Sequence, residues 1–245
     1  MNFIGIDLAW KISGIPRDRT GLATIDGAGH LIDVDLAATD DEIIAFVRVH
    51  AGDSCAVGID APLIVANESG QRPVERLLLG LRTPAYPANR SLFARVYGGV
   101  RGEALVERLA AEGFALTTKR PTDGHRTVFE VFPSPAYKSI LGLDSTVKVK
   151  RRRGVRTADI QRGLGIVRDS LARGALDPPL IIDDSILDRS IAGQDVELLH
   201  GGLLERFGDI LDAIIAAYIL YRYYRNPNSI NVVGDIATGY VLLPT

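Results

Sequence analysis

Residues 3–10, Phe3-Ile4-Gly5-Ile6-Asp7-Leu8-Ala9-Trp10, form an apolar run with one carboxylate near its end. Such a run predicts a buried strand. Alternation sets Phe3, Gly5, Asp7 and Ala9 on one face and Ile4, Ile6 and Leu8 on the other, so small residues flank Asp7. A carboxylate buried there without a partner would be costly or would shift its pKa, so Asp7 demands a partner. Cys55-Ala56-Val57-Gly58-Ile59-Asp60-Ala61-Pro62 repeats this grammar, and Thr127-Val128-Phe129-Glu130-Val131-Phe132-Pro133 nearly does. Parallel strands of an open sheet collect ligands at their carboxyl ends, which makes these acids candidates for one shared site.

Around these strands the pattern predicts an α/β chain. A polar loop at 11–20 leads to a strand at 21–25, a turn at Asp26-Gly27-Ala28-Gly29 and a strand at 30–34, an antiparallel meander. Thr39, with Glu42 three residues on, opens a helix through His50. The following crossover favours a parallel placement of the Asp60 strand. Residues 63–120 read as a helical and loop insertion, with helices at 73–81 and 102–112 around the irregular, proline-rich 83–90. Further helices are expected at 135–141 and 157–172. The longest starts at Val196 or Leu203 and runs to Tyr224, before Asn226-Pro227. Short extended segments at 231–234 and 239–243 close what reads as one domain over 1–245.

Composition narrows the class. With 245 residues, 47% hydrophobic and a net charge of -2, the chain is an ordinary globular one with room for a large core. No overall basic excess points to nucleic acid, so any such surface is a local patch, and residues 148–156 offer one. The single cysteine, Cys55, excludes an internal disulfide or a cysteine zinc site and suggests a reducing compartment. No export signal is visible at the first residues, which leads to a cytoplasmic expectation. The longest apolar run, 210–221, is too short to span a bilayer and contains Asp212, so no membrane partner is expected.

The late helix adds acids. Glu205, Asp209 and Asp212 are spaced by four and three residues and share one helix face. Glu205 and Asp209 also suit the first turns, where negative charge favours the helix dipole. Asp212, inside an apolar stretch, does not fit that explanation. Several carboxylates on one buried frame need protons or a cation for compensation. Oxygen ligands without His or Cys suit Mg²⁺ or Mn²⁺, and two such ions about 4 Å apart can promote phosphodiester cleavage.

Meander, helix, parallel strands and a C-terminal acidic helix together resemble the ribonuclease H-like fold, here with a central mixed five-stranded sheet flanked by helices. More closely, Gly5-Ile6-Asp7-Leu8-Ala9-Trp10, Gly58-Ile59-Asp60-Ala61-Pro62-Leu63, Glu130-Val131-Phe132-Pro133 and Asp209-Ile210-Leu211-Asp212-Ala213 look like the signature blocks of the domain of unknown function 429 family. That family is described as predicted nucleases with a ribonuclease H-like core. The resemblance implies Asp7, Asp60 and Asp212 as metal ligands for Mg²⁺ or Mn²⁺, with Glu130 and Asp209 completing the catalytic set. The pair Asp209 and Asp212 is similar to the paired helix acids of Holliday-junction resolvases, and Arg72-Pro73-Val74-Glu75 is similar to a family segment with an Arg and an acid.

For a nucleic-acid substrate, the candidate contacts are Lys148, Lys150 and Arg152 in the basic run and Arg82 and Arg90 in the insertion, alongside Arg95. Such a basic run is more often a solvated loop, and surface solubility accounts equally well for the arginines of the insertion. Tyr86, Phe93 and Tyr97 either stack bases or pack the insertion onto the core. His125, ahead of Glu130, is a candidate general base or a turn residue. Gly98-Gly99-Val100-Arg101-Gly102 lacks the Lys and Ser/Thr of a nucleotide loop and reads as a hinge. The leading expectation is a metal-dependent nuclease. An actin-like or sugar-kinase-like ATP-binding phosphotransferase and a non-catalytic nucleic-acid-binding module are the alternatives.

Overall fold

The computed structural model describes residues 1–12, 19–143, 147–173 and 176–245, so most of the expected loop at 11–20 lies outside the described residues. The main sheet comprises β1 (Asn2–Asp7), β2 (Thr20–Ile25), β3 (Leu31–Ala37), β4 (Cys55–Ile59), β5 (Ala115–Leu116) and β6 (Arg126–Glu130), in the order β3-β2-β1-β4-β6-β5. The first three form the antiparallel meander, while β4 pairs parallel with β1, β6 with β4 and β5 with β6. Six strands replace the expected five. The extra edge is only two residues, Ala115 opposite Thr127 and Leu116 opposite Val128, too short to carry a periodic signal.

Capping chemistry starts α1 (Asp40–His50): the Glu42 N–H donates to Thr39 Oγ1 at 3.2 Å and the Thr39 N–H to Glu42 Oε2 at 3.1 Å. Between β4 and β6 lie α2 (Pro73–Gly80), α3 (Arg90–Tyr97) and α4 (Arg101–Ala111). The sequence pattern did not announce α3. Asn89 caps it by accepting from the Leu92 N–H at 2.9 Å, and Gly98, at φ 85°, ends it, so the expected hinge contains a helix stop. After β6 come α5 (Pro133–Ile140), α6 (Thr157–Ala172), α7 (Asp184–Asp188) and the 24-residue α8 (Gly202–Arg225). Val196–Leu198 is a separate 3₁₀ turn, so the long helix takes the later of its two expected starts. The last strands, β7 (Ile230–Asp235) and β8 (Gly239–Pro244), pair as their own antiparallel hairpin.

The alternation of β1 sorts the core. Ile4, Ile6 and Leu8 bury against Ile43, Ile44 and Val47 of α1 and Leu105 and Leu109 of α4, whereas Phe3 buries against α8. Over 210–221 α8 is buried around its whole circumference, Asp212 included, because the sheet, α5 and α6 all cover it. Two glycines set how closely it lies. A Cβ on Gly5 would fall 1.9 Å from the Ala213 carbonyl oxygen, and one on Gly21 would fall 2.0 Å from that of Asp209. Backbone rests on backbone at these points, and this carries the acids of α8 over the end of β1. Among the described residues no helix is long and apolar enough to cross a membrane.

Candidate metal centre

Parallel register brings the first two acids together. Ile6 lies opposite Ile59, and the Asp60 N–H donates to the Ile6 carbonyl at 2.8 Å, so Asp7 and Asp60 leave adjacent strands at the same edge. From above, α8 supplies Asp212, whose side chain is only 2% exposed. One carboxylate oxygen from each of Asp7, Asp60 and Asp212 lies within 4.8 Å of the other two. Asp209, one helical turn earlier, is hydrogen-bonded to Asp7.

Two groups from other elements answer this charge. Nζ of Lys150 sits 2.8 Å from Asp212 Oδ2 and 3.9 Å from Asp60 Oδ2. The buried Tyr137 hydroxyl, from α5, donates to Asp212 Oδ1. Its importance was not readable beforehand, since a Tyr on an apolar helix face looks like core. The one signal available is that a buried hydroxyl needs a partner.

Burial, reinforced by Asp7 and Asp212, pushes Asp209 up to about 9, so it keeps its proton at neutral pH and donates it to Asp7. Burial also pushes Asp60 up to about 7, against the opposing pull of Lys150. Asp7 is held well above the usual carboxylate range by burial, with Asp212 and Asp60 adding to the effect. For Lys150 burial opposes the charged form, yet Asp212, Asp7 and Asp60 outweigh it and hold the ammonium protonated. Protons held by the raised carboxyls and the Lys150 ammonium together compensate the charge of the acid cluster.

Glu130 reaches the same edge but its oxygens are engaged. Arg72 Nη2 donates to Oε1 at 2.7 Å and Nη1 to Oε2 at 3.0 Å, while the Leu63 N–H donates to Oε2 at 2.8 Å. Arg72 Nε in turn donates to Glu75 Oε1 at 2.9 Å. Glu130 therefore stands apart from the three-acid cluster and ties β6 to the start of the insertion.

The candidate cationic contacts divide. Lys150 enters the acid ring, and Arg82 and Arg152 line the same cavity, which has a volume of about 1160 Å³. Arg90 and Lys148 do not line it: Arg90 pairs with Glu103 at 3.0 Å and Lys148 lies 3.8 Å from Asp159. His125 precedes β6 at the end of the sheet opposite the acids, so it is no general base for this site. Trp10, Tyr86 and Tyr97 also line the cavity, whereas Phe93 is buried behind them.

No curated protein and no solved structure matches this chain. The family described as "Protein of unknown function (DUF429)" matches residues 5–229, nearly the whole length, and the chain belongs to that family.

Proposed function

We propose that the protein is a metal-dependent nuclease that hydrolyses phosphodiester bonds of nucleic acid, with Mg²⁺ or Mn²⁺ held by Asp7, Asp60 and Asp212. The observation that carries this reading is the convergence of three carboxylate oxygens within 4.8 Å, with a lysine ammonium already drawn among them. An all-oxygen donor set of this charge suits a hard divalent cation. Such an ion, when bound, lowers the pKa of water and neutralises charge on a phosphoryl oxygen. The protein's own groups prepare the setting: Tyr137 orients Asp212, Asp209 holds a proton against Asp7, and Lys150, Arg82 and Arg152 present positive charge to the substrate phosphates. Glu130 assists by positioning rather than by ligation. The order β3-β2-β1-β4-β6, with acids after β1 and β4 and on the last helix, supports the ribonuclease H-like resemblance. Buried Cys55 is consistent with a cytoplasmic setting.

An Asp7→Asn variant is expected to stay folded and lose Mn²⁺-dependent cleavage of oligonucleotides. Undiminished cleavage by that variant removes the mechanism. One observation favours a second reading, a nucleic-acid-binding module without turnover: Lys150 already compensates part of the acid ring. Oligonucleotide affinity that ignores Mn²⁺, with no cleavage by the unmodified protein, selects it.

A further inference from the structure

Next to the acids the cavity has an aromatic wall that the hydrolytic reading does not use. Trp10 follows Asp7 by three residues, a stretch that spans at most about 11 Å. Its ring centroid lies 5.9 Å from that of Tyr86, 5.5 Å from Tyr97 and 5.2 Å from the buried Phe93. The shelf is rigidly mounted. Arg101 Nη1 donates to the Ala9 carbonyl at 2.6 Å, and the Ile12 N–H donates to the Tyr97 carbonyl at 3.1 Å. Tyr86 sits between Pro84 and Pro87, which restrict its loop, and yet the residue is 58% exposed. An aromatic ring whose task is to pack the insertion onto the core would be covered, as Phe93 is. Tyr86 instead offers its surface to the cavity that the acids floor.

Pairing decides which bases the wall can take, because the half-open cavity of about 1160 Å³ carries the aromatic rings and the acids on one continuous lining. In a duplex each base is already stacked and paired, so its faces are not free for the wall. Unpaired bases stack on aromatic side chains whatever their sequence.

Resting on the nuclease reading of the same site, we infer that the substrate is single-stranded nucleic acid, and that Trp10, Tyr86 and Tyr97 form a stacking subsite for an unpaired base beside the phosphodiester held at the acids. Arg82 and Arg152, on the same cavity, face the strand's phosphates. The contacts are to base faces and phosphates, so DNA and RNA strands share the chemistry.

Trp10 is the single tryptophan of the chain and reports on its own subsite. Without divalent ions, the Asp7→Asn protein is titrated with a short single strand of DNA or RNA, the matching duplex, and a backbone of equal length without bases. Quenching of Trp10 emission by the single strand is expected, with affinity at least tenfold above that for the duplex or the baseless backbone. Adding Tyr86→Ala should weaken single-strand binding about tenfold and leave the baseless backbone unaffected, and Tyr86→Phe should restore the loss. Equal affinity for duplex, or for the baseless backbone, or binding without quenching overturns the subsite. Mn²⁺-dependent cleavage by the unmodified protein is scored separately. Cleavage of duplex without single-strand quenching sinks the subsite alone, whereas quenching without any cleavage sinks the nuclease reading alone.

Discussion

The ammonium of Lys150 lies 2.8 Å from Asp212 Oδ2 and 3.9 Å from Asp60 Oδ2, among the carboxylates proposed to hold a divalent ion. A tethered cation there opposes a diffusible one, since like charges close together in a partly buried site repel. The side chain remains 43% exposed, so it can swing toward solvent or toward a substrate phosphate. Lys150→Met is expected to tighten Mn²⁺ binding by about tenfold, roughly 1.4 kcal/mol, while lowering cleavage. Calorimetric titration with Mn²⁺ decides the first point; unchanged or weaker binding would mean that the lysine does not compete for the site.

Gly5 is the residue through which the sheet governs the geometry of the acids. A methyl group there would meet the Ala213 carbonyl oxygen at 1.9 Å and force α8 off β1, carrying Asp209 and Asp212 with it. Gly5→Ala is expected to cost about 3 kcal/mol, the upper end of the range for overpacking, and to abolish Mn²⁺ binding in whatever fraction folds. Gly202→Ala, at the start of α8 with nothing within 4 Å, is the neutral control. Matching denaturation midpoints for the two variants would show that the close approach is dispensable.

Legibility in the sequence followed the range of each signal. Asp7 and Asp60 stood out because strand alternation is local and an acid interrupting an apolar run is anomalous. Asp212 stood out for the same reason in a helix. Partners distant in sequence were invisible. Glu130 read as a further catalytic acid because nothing in residues 127–133 reveals that Arg72, 58 positions earlier, engages both its oxygens. In the basic run, Lys148 and Lys150 were equivalent by composition, and only tertiary packing turns Lys150 into the ring while Lys148 pairs with Asp159. The two-residue β5 and the Asn-capped α3 lacked the length or the pattern that periodicity requires.

Arg72 is buried between Glu75 and Glu130, with side-chain exposures of 5%, 0% and 5%. Deleting the cation leaves two carboxylates without their partner in the interior. Arg72→Met is therefore expected to destabilise the fold by about 3–5 kcal/mol, the range for breaking a buried ion pair from one side. The exposed pair Arg48 and Glu112 supplies the contrast, and Arg48→Met should leave the melting temperature essentially unchanged. Urea denaturation of both variants tests this, and an Arg72 variant as stable as the parent would refute the structural role given to Glu130.

The raised carboxyls make stability depend on pH in an unusual direction. Asp60, at about 7, and Asp209, at about 9, bind protons more tightly in the native state than an unfolded aspartate does, at about 3.9. Their stabilising contribution is complete below the unfolded value and is lost as pH rises through 7 and then 9. The metal-free protein should therefore melt at least about 3 °C lower at roughly pH 8 than at roughly pH 5. Mn²⁺ should reverse this, stabilising strongly where the carboxylates are ionised and weakly where protons occupy them. Asp209→Asn, which removes one titrating group, should flatten the metal-free profile toward its alkaline end. Calorimetric melts across this range, with chelator and with Mn²⁺, provide the measurement. A metal-free melting temperature that does not fall from pH 5 to pH 8, or that falls as much in the Asp209 variant as in the parent, would refute the charge balance assigned to the acid ring.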